Sequence, residues 1–227
     1  RGVMIPYYAD ESVTLYHGDC LTVTEWLTAD VLVTDPVYGM GLTSGWRGDF
    51  GDLSLAGDED VTVRDAALAL WGDRPALAFS RDSLPCPNWK MRLVWEKGDH
   101  TGMGDLRIPW RPSIERIDVL GSWPDRPNRG RGGGGRVSPV IRCMAPAPAR
   151  RNGRQHPTEK PVALMSSLIG QCPPGVIADP FAGSGSTLVA AKQLGRRAIG
   201  VELEERYCEV IARRLSQGVL DFGGEAS

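Results

Sequence analysis

Short apolar runs alternate with segments of helical periodicity along most of this 227-residue chain. Four of the runs are continuous rather than alternating, which is typical of parallel strands covered on both faces. They are residues 31–33, 76–79, 93–95 and 198–201. Strands of this kind separated by helices predict an α/β fold, a doubly wound and mostly parallel sheet.

The clearest predicted helix covers residues 204–215. Tyr207, Val210, Ile211 and Leu215 form its apolar stripe, while acids stand in its first turn and arginines in its last, as the helix macrodipole favours. Further helices are predicted at residues 21–27, 61–71, 162–169 and 186–194. The absence of repeats and the length of the chain indicate a single domain over residues 1–227.

Composition excludes several classes of protein. Hydrophobic residues make up 41% of the chain and charged residues 24%, and no apolar run approaches the ~18 residues of a membrane span. Residues 1–6 lack the apolar core of a signal peptide. The five cysteines are odd in number and include no C-x-x-C pair, which argues against a disulfide framework or a zinc site. We therefore expect a cytoplasmic protein with reduced thiols and no metal.

An arginine-rich, glycine-rich segment at residues 121–154 is electrically distinct from the rest of the chain. It contains seven glycines, five prolines and eight arginines against one acid, Asp125. Its composition predicts a flexible insertion without regular structure, and guanidinium groups of this density are typical of phosphate binding. A solvated, disordered loop is the alternative. The eight arginines are Arg126, Arg129, Arg131, Arg136, Arg142, Arg150, Arg151 and Arg154.

Residues 176–187 predict a strand, a tight glycine turn and a helix. Gly183 and Gly185 allow a ligand to approach the backbone, and Asp179 stands directly ahead of the turn. Glu202 follows the next strand at about the ~20-residue spacing at which an acid takes ribose hydroxyls. The alternative is that the two glycines serve only the packing of the turn and bind no ligand.

This turn fits S-adenosylmethionine better than a dinucleotide. Leu188 occupies the position of the third glycine in G-x-G-x-x-G, and Asp179 is awkward beside a pyrophosphate. S-adenosylmethionine has an ammonium and a ribose but no phosphate. The acids therefore favour S-adenosylmethionine. A nicotinamide oxidoreductase is the least favoured of the alternative functions.

A second motif, Asp35-Pro36-Val37-Tyr38, follows the strand at residues 31–33. The Asp35 carboxylate and the Pro36 carbonyl are acceptors, and Tyr38 adds a flat aromatic face. Together they suit an exocyclic amine on a nucleobase. A turn that merely ends the strand is the alternative.

These motifs resemble those of the β-type, permuted amino DNA methyltransferases. Residues 35–38 resemble the D-P-P-Y catalytic motif, residues 179–185 the S-adenosylmethionine motif, and residues 156–161 the segment that precedes it. The order of the motifs also matches over roughly residues 15–215. The resemblance implies a Rossmann-like methyltransferase fold and catalysis by Asp35, Pro36, Val37 and Tyr38. It implies cofactor binding by Asp19, Thr158, Lys160, Pro161, Asp179, Phe181, Gly183, Gly185 and Glu202.

The implied reaction is direct methyl transfer from S-adenosylmethionine to the amine of a flipped base in double-stranded DNA, leaving S-adenosylhomocysteine. The Asp-led tetrapeptide favours adenine N6 over cytosine N4. Val37 stands where the motif has its second proline. The valine restores a backbone N–H and frees φ, which puts turnover in doubt.

The resemblance also places the target-recognition region at residues 121–155. Trp46, Arg47 and Trp110 in neighbouring loops are candidates for contacts with DNA, with loop packing as the alternative. An RNA methyltransferase and a catalytically weakened DNA-binding relative stay open as functions. A homodimer is one option for the assembly.

Overall fold

The computed structural model describes residues 4–36, 61–98, 107–125, 137–144 and 159–217. These residues form a nine-stranded sheet with four α-helices and a short 3₁₀ helix. The strands are Tyr8–Ala9 (β1), Val13–His17 (β2), Val31–Thr34 (β3), Ala76–Ser80 (β4), Met91–Glu96 (β5), Ile114–Leu120 (β6), Val140–Arg142 (β7), Ile177–Asp179 (β8) and Ala198–Glu202 (β9).

The strand order is β1-β2-β9-β8-β3-β4-β6-β5-β7. The five strands from β2 to β4 in this order are parallel, whereas β1 and β6 run antiparallel to their neighbours on either side of that block. The carboxyl ends of the five parallel strands therefore meet along one edge, where open α/β sheets form their sites.

Helices cover both faces of the sheet, as a doubly wound fold requires. Within β3, Val31 and Val33 enter one core while Leu32 enters the other. Side chains of α2, α3 and α4 join the first core, and those of α1 and the 3₁₀ helix join the second. The helices are Glu25–Thr28 (3₁₀), Thr62–Trp71 (α1), Val162–Ile169 (α2), Ser186–Gln193 (α3) and Glu205–Ser216 (α4).

Most of the predicted elements are confirmed. The α/β class, the four long helices and the strands at residues 31–33, 76–79 and 198–201 all appear within a residue or two of the expected bounds. The helix predicted at residues 21–27 is wrong. The chain turns there instead, because Asp19 accepts hydrogen bonds from the following backbone, and only Glu25–Thr28 becomes helical.

Two other expectations need correction. Residues 93–95 lie in β5, which pairs antiparallel with β6 on one side and parallel with β7 on the other. This strand is only half-buried along most of its length, so it is not covered on both faces as expected. Regular structure also occurs within the arginine-rich segment, where β7 pairs in parallel with β5. No helix in the described part of the chain has the length and apolar character that crossing a membrane requires.

Candidate active site

Four acids stand at the carboxyl ends of four neighbouring strands. Glu202 ends β9 and Asp179 ends β8, while Asp35 directly follows β3. Asp19 comes two residues after β2, whose last residue, His17, is in register with Glu202. Strand order, rather than chain order, brings these acids to one edge.

Asp179 is held at the centre of this row. Its Oδ1 accepts hydrogen bonds from the Thr34 hydroxyl at 2.7 Å and from the Phe181 N–H at 3.2 Å. Burial raises the pKa of Asp179 to about 6, against hydrogen bonds from Thr187 and Thr34 that lower it. A buried carboxylate with a pKa near neutrality at the carboxyl end of a parallel strand marks a candidate functional site.

Glu202 links the glycine turn to the end of β9. Its Oε2 accepts a hydrogen bond from the Gly183 N–H at 2.7 Å, and its Oε1 accepts one from the Glu204 N–H at 2.8 Å. Burial raises the pKa of Glu202 to about 7, although both backbone donors lower it. The two backbone contacts fix the orientation of the carboxylate at the mouth of the turn.

The two glycines of the turn differ in their surroundings. Both have positive φ, 53° for Gly183 and 81° for Gly185. A Cβ on Gly183 would point into open space, with its nearest neighbour 4.0 Å away, whereas one on Gly185 would lie 2.8 Å from the Ile211 side chain. Gly183 therefore leaves room on the ligand side, and Gly185 admits close packing of α4 against the start of α3.

A buried hydroxyl lies beside this turn. Ser186, the first residue of α3, is buried, and its Oγ has no hydrogen-bond partner within the described ranges. Buried polar atoms are rarely left unsatisfied. An unsatisfied hydroxyl, an open Cβ position at Gly183 and two acids of raised pKa fit a ligand with an ammonium and ribose hydroxyls.

Asp19 and Phe181 each come two residues after the end of a strand at this edge, β2 and β8. Asp19 is exposed, and its Oδ1 accepts a hydrogen bond from the Leu21 N–H at 2.8 Å. Phe181 is half-buried and packs against the second core. Both residues lie beside the acids with which the sequence grouped them.

Lys160 lies next to the predicted catalytic acid. Its Nζ is 2.6 Å from Asp35 Oδ2 and 3.3 Å from Glu115 Oε2. Burial alone would lower the pKa of Lys160, but the carboxylates of Asp35 and Glu115 outweigh it and raise that pKa. Pro161 follows as the N-cap of α2.

Two charged residues near Asp35, Glu115 and Lys97, are not among the predicted site residues. Glu115 lies in β6 opposite Trp95, and its Oε1 is 2.5 Å from the Nζ of Lys97, directly after β5. Burial raises the pKa of Glu115, but Lys160 and Lys97 together hold it below its ordinary value. No local signal in the sequence relates these two residues, because Glu115 and Lys97 meet only through the pairing of β5 with β6.

Several predicted site residues lie outside the described residues. They are Val37, Tyr38, Thr158, Arg126, Arg129, Arg131, Arg136, Arg150, Arg151 and Arg154, together with Trp46 and Arg47. Pro36 is described and buried, directly after Asp35. Arg142, in β7, pairs with Glu96 at 3.0 Å and is largely exposed, and Trp110 is 78% exposed.

The three buried thiols in the described part of the chain are unsuited to nucleophilic attack. Cys20, Cys86 and Cys208 are buried and free, and burial raises the pKa of each to about 12. A neutral thiol is a weak nucleophile at neutral pH. These three thiols are therefore not candidates for a covalent nucleophile.

A parallel sheet with a glycine turn after one strand, and with acids at the ends of the adjacent strands, defines a Rossmann-like methyltransferase fold. Comparisons with known proteins agree. A family model described as DNA methylase, covering N6 and N4 enzymes, matches residues 91–213, more than half of the chain. The chain belongs to this family of amino DNA methyltransferases.

Two curated relatives extend the match. The Type II methyltransferase M.ScaI of Streptomyces caespitosus is 26% identical over 92% of this chain and 83% of its own length. The methylase YubD of Escherichia coli K12 is 54% identical over 65 residues, which are 28% of this chain and 29% of that protein. The chain thus matches less than a third of YubD but most of M.ScaI.

Solved structures share the fold. The PvuII DNA methyltransferase, which is cytosine-N4-specific, superimposes with a TM-score of 0.65 at 14% identity, over 99% of this chain and 91% of its own. The complex of M1.HpyAVI with SAM superimposes with a TM-score of 0.60 at 19% identity. The match covers 89% of this chain and 98% of that one. At these identities the likeness supports the Rossmann-like architecture.

Proposed function

We propose that this protein transfers a methyl group from S-adenosylmethionine to the exocyclic amine of a DNA base, with adenine N6 favoured. The observation that carries the proposal is the row of acids at the ends of β2, β9, β8 and β3. Asp179 and Glu202 form its cofactor half, and Asp35 with Lys160 beside it forms its amine half. The M1.HpyAVI structure, which contains SAM on the same fold, supports this cofactor.

On the cofactor side, each acid has a partner group in S-adenosylmethionine. Asp179 would take the ammonium, Glu202 the ribose hydroxyls, and Asp19 and Phe181 the adenine end, with Gly183 giving the backbone close access. When bound, this cofactor supplies an electrophilic methyl on a sulfonium. The pocket's part is to hold that methyl in line with the amine, since positioning and electrostatics supply most of such a rate enhancement.

On the base side, Asp35 and the carbonyl of Pro36 would accept the two amine hydrogens, and Tyr38 would stack on the ring. The base must leave the duplex to reach this edge, at a cost of a few kcal/mol. Methyl transfer would form the N–C bond as the S–C bond breaks, with the positive charge passing to nitrogen and S-adenosylhomocysteine leaving. Asp35 would stabilise that charge until the amine releases one proton to solvent and becomes a neutral methylamine.

Residues 121–155 are proposed to recognise the target DNA. Their arginines would contact phosphates, and one or two would read guanine edges. Adenine is favoured because the tetrapeptide begins with aspartate. PvuII methyltransferase, on the same fold, is specific for cytosine N4, so the experiment has to identify the methylated base.

Incubation with methyl-labelled S-adenosylmethionine and unmethylated duplex DNA tests the proposal. We expect label in DNA, recovered as N6-methyladenine after digestion to nucleosides. Asp35→Ala should abolish incorporation, because the amine loses its charged acceptor. Asp82→Ala, which removes an exposed acid from the loop after β4, is the matched control and should retain it. Label recovered from N4-methylcytosine would overturn the choice of base, and full activity of Asp35→Ala would overturn the assigned chemistry.

Val37 decides between an active enzyme and a weakened relative. Val37→Pro restores the motif's second proline and removes an N–H near the amine. We expect turnover to rise or stay the same, measured as the steady-state rate of label incorporation. A wild-type protein that binds DNA without incorporating label, and gains activity with Val37→Pro, would be the weakened relative. RNA that outcompetes DNA as methyl acceptor would indicate an RNA methyltransferase.

A further inference from the structure

Four charged side chains form a continuous chain from the end of β5 to the predicted catalytic acid. Lys97 contacts Glu115 at 2.5 Å, Glu115 contacts Lys160 at 3.3 Å, and Lys160 contacts Asp35 at 2.6 Å. We name this set the lysine–carboxylate chain. It carries two positive and two negative charges, which alternate.

The lysine–carboxylate chain lies over an aromatic floor. Lys160 Nζ is 4.9 Å from the centre of the Phe79 ring, Lys97 Nζ is 5.4 Å from that of Trp95, and the two rings meet edge to face at 6.4 Å. Lys160 itself is 6% exposed. In such surroundings charges interact far more strongly than in water, and an uncompensated charge is unfavourable.

Lys160 is therefore shared between two carboxylates that come from different strands. Asp35 follows β3 and Glu115 lies in β6, two strands away in the sheet order. The Lys160 ammonium lies nearer to Asp35, at 2.6 Å, where it would compete with an amine that approaches that carboxylate. Glu115 gives the ammonium a second carboxylate contact, at 3.3 Å.

We propose that Glu115 is a positioning residue for methyl transfer and acts on Asp35 through Lys160. This inference rests on the proposed function, because it needs Asp35 to receive the amine. Positive charge develops on the amine nitrogen during transfer, and the ammonium of Lys160 opposes it. Glu115 offsets the charge of Lys160, so that Asp35 keeps its capacity to stabilise the cation.

The test measures the single-turnover methyl-transfer rate constant on duplex DNA, with cofactor affinity measured by calorimetry. Glu115→Gln keeps the shape of the side chain and removes its charge. We expect the rate constant to fall about 10- to 100-fold, as a misplaced catalytic group does, with cofactor affinity changed less than about twofold. Asp82→Asn is the matched control, because Asp82 also bridges two cations, Arg92 and Arg116. It should react at the wild-type rate.

A double-mutant cycle separates positioning from other roles. If Glu115 acts through Lys160, adding Glu115→Gln to the Lys160→Met variant should lower the single-turnover rate constant less than about twofold further. A full additional loss in that background would overturn the inference, as would a wild-type rate for the single variant. A Glu115→Gln protein that melts below the assay temperature would show a purely structural role and also overturn it. Wild-type protein that transfers no methyl would instead refute the proposed function.

Discussion

Asp179 and Glu202 are the two acids whose surroundings move their pKa values towards neutrality. Burial is the main cause for both, and it raises the pKa of Asp179 to about 6 and the pKa of Glu202 to about 7. A cationic group beside Asp179 and hydroxyls donating to Glu202 each stabilise the ionised carboxylate. Cofactor binding should therefore lower both pKa values and release protons.

This linkage predicts a pH-dependent affinity for S-adenosylmethionine. The carboxylates are ionised above pH 7 and become protonated as the pH falls, so affinity should drop about tenfold between about pH 8 and pH 6. Calorimetry in buffers of different ionisation enthalpy measures both the affinity and the proton release. Glu202→Gln should bind more weakly and lose the part of the dependence near pH 7. Constant wild-type affinity over this range would contradict the roles of both acids.

At the scale of elements, the turn between β8 and α3 assigns separate tasks to its two glycines. Both need positive φ, which disfavours any residue with a Cβ. Only Gly185 is also closed in, by Ile211 at 2.8 Å from the missing Cβ. The same substitution should therefore act mainly on stability at Gly185 and mainly on ligand binding at Gly183.

Gly185→Ala should lower the free energy of unfolding by about 2–4 kcal/mol, because backbone strain and overpacking add. Gly183→Ala should lower it by only about 1–2 kcal/mol but weaken S-adenosylmethionine binding, since its methyl group would enter the ligand space. Urea denaturation and calorimetry measure the two effects. Equal losses of stability at both positions would contradict the packing role of Gly185, and unchanged binding by Gly183→Ala would contradict the ligand-side role of Gly183.

The turn could be predicted because its signals are local. The strand, the positive-φ glycines and Glu202 all fall within about one βαβ unit of sequence. The strand β6 could not, since its run of Glu115, Arg116 and Asp118 among apolar residues resembles a surface segment. Those charges are paired with side chains from other segments: Asp118 with Arg92 of β5, Glu115 with Lys97 directly after β5, and Arg116 with Asp82 after β4. That pairing is set by tertiary structure.

At the scale of the molecule, sheet order determines which residues meet at the site. The sequence placed Asp35 after one predicted strand and Asp179 directly ahead of the glycine turn, and the parallel pairing of β3 with β8 brings both to one edge. It grouped Lys160 with the cofactor residues, whereas the structure places it on Asp35. No local pattern relates positions 35, 115 and 160, because β3, β6 and the start of α2 come together only once the sheet has formed.

Charge separation between residues 121–154 and the rest of the chain predicts a salt-dependent affinity for DNA. Removing one arginine that pairs with a phosphate should reduce the slope of log affinity against log salt by about 0.9. Replacing Arg129 and Arg131 by Gln should therefore reduce it by about 1.8, measured by fluorescence anisotropy on a duplex. Arg142→Gln is the matched control, since Glu96 already pairs with Arg142, and should change the slope less. A slope unaffected by the first two replacements would argue that these arginines are merely solvated.

A crystal structure with S-adenosylhomocysteine tests the central claim most directly. It should show ribose hydroxyls on the Glu202 carboxylate, the amino-acid ammonium beside Asp179, and the sulfur facing Asp35. Ribose bound to any other residue, or a ligand lying away from the ends of β8 and β9, would contradict the assignment of this edge as the site of methyl transfer.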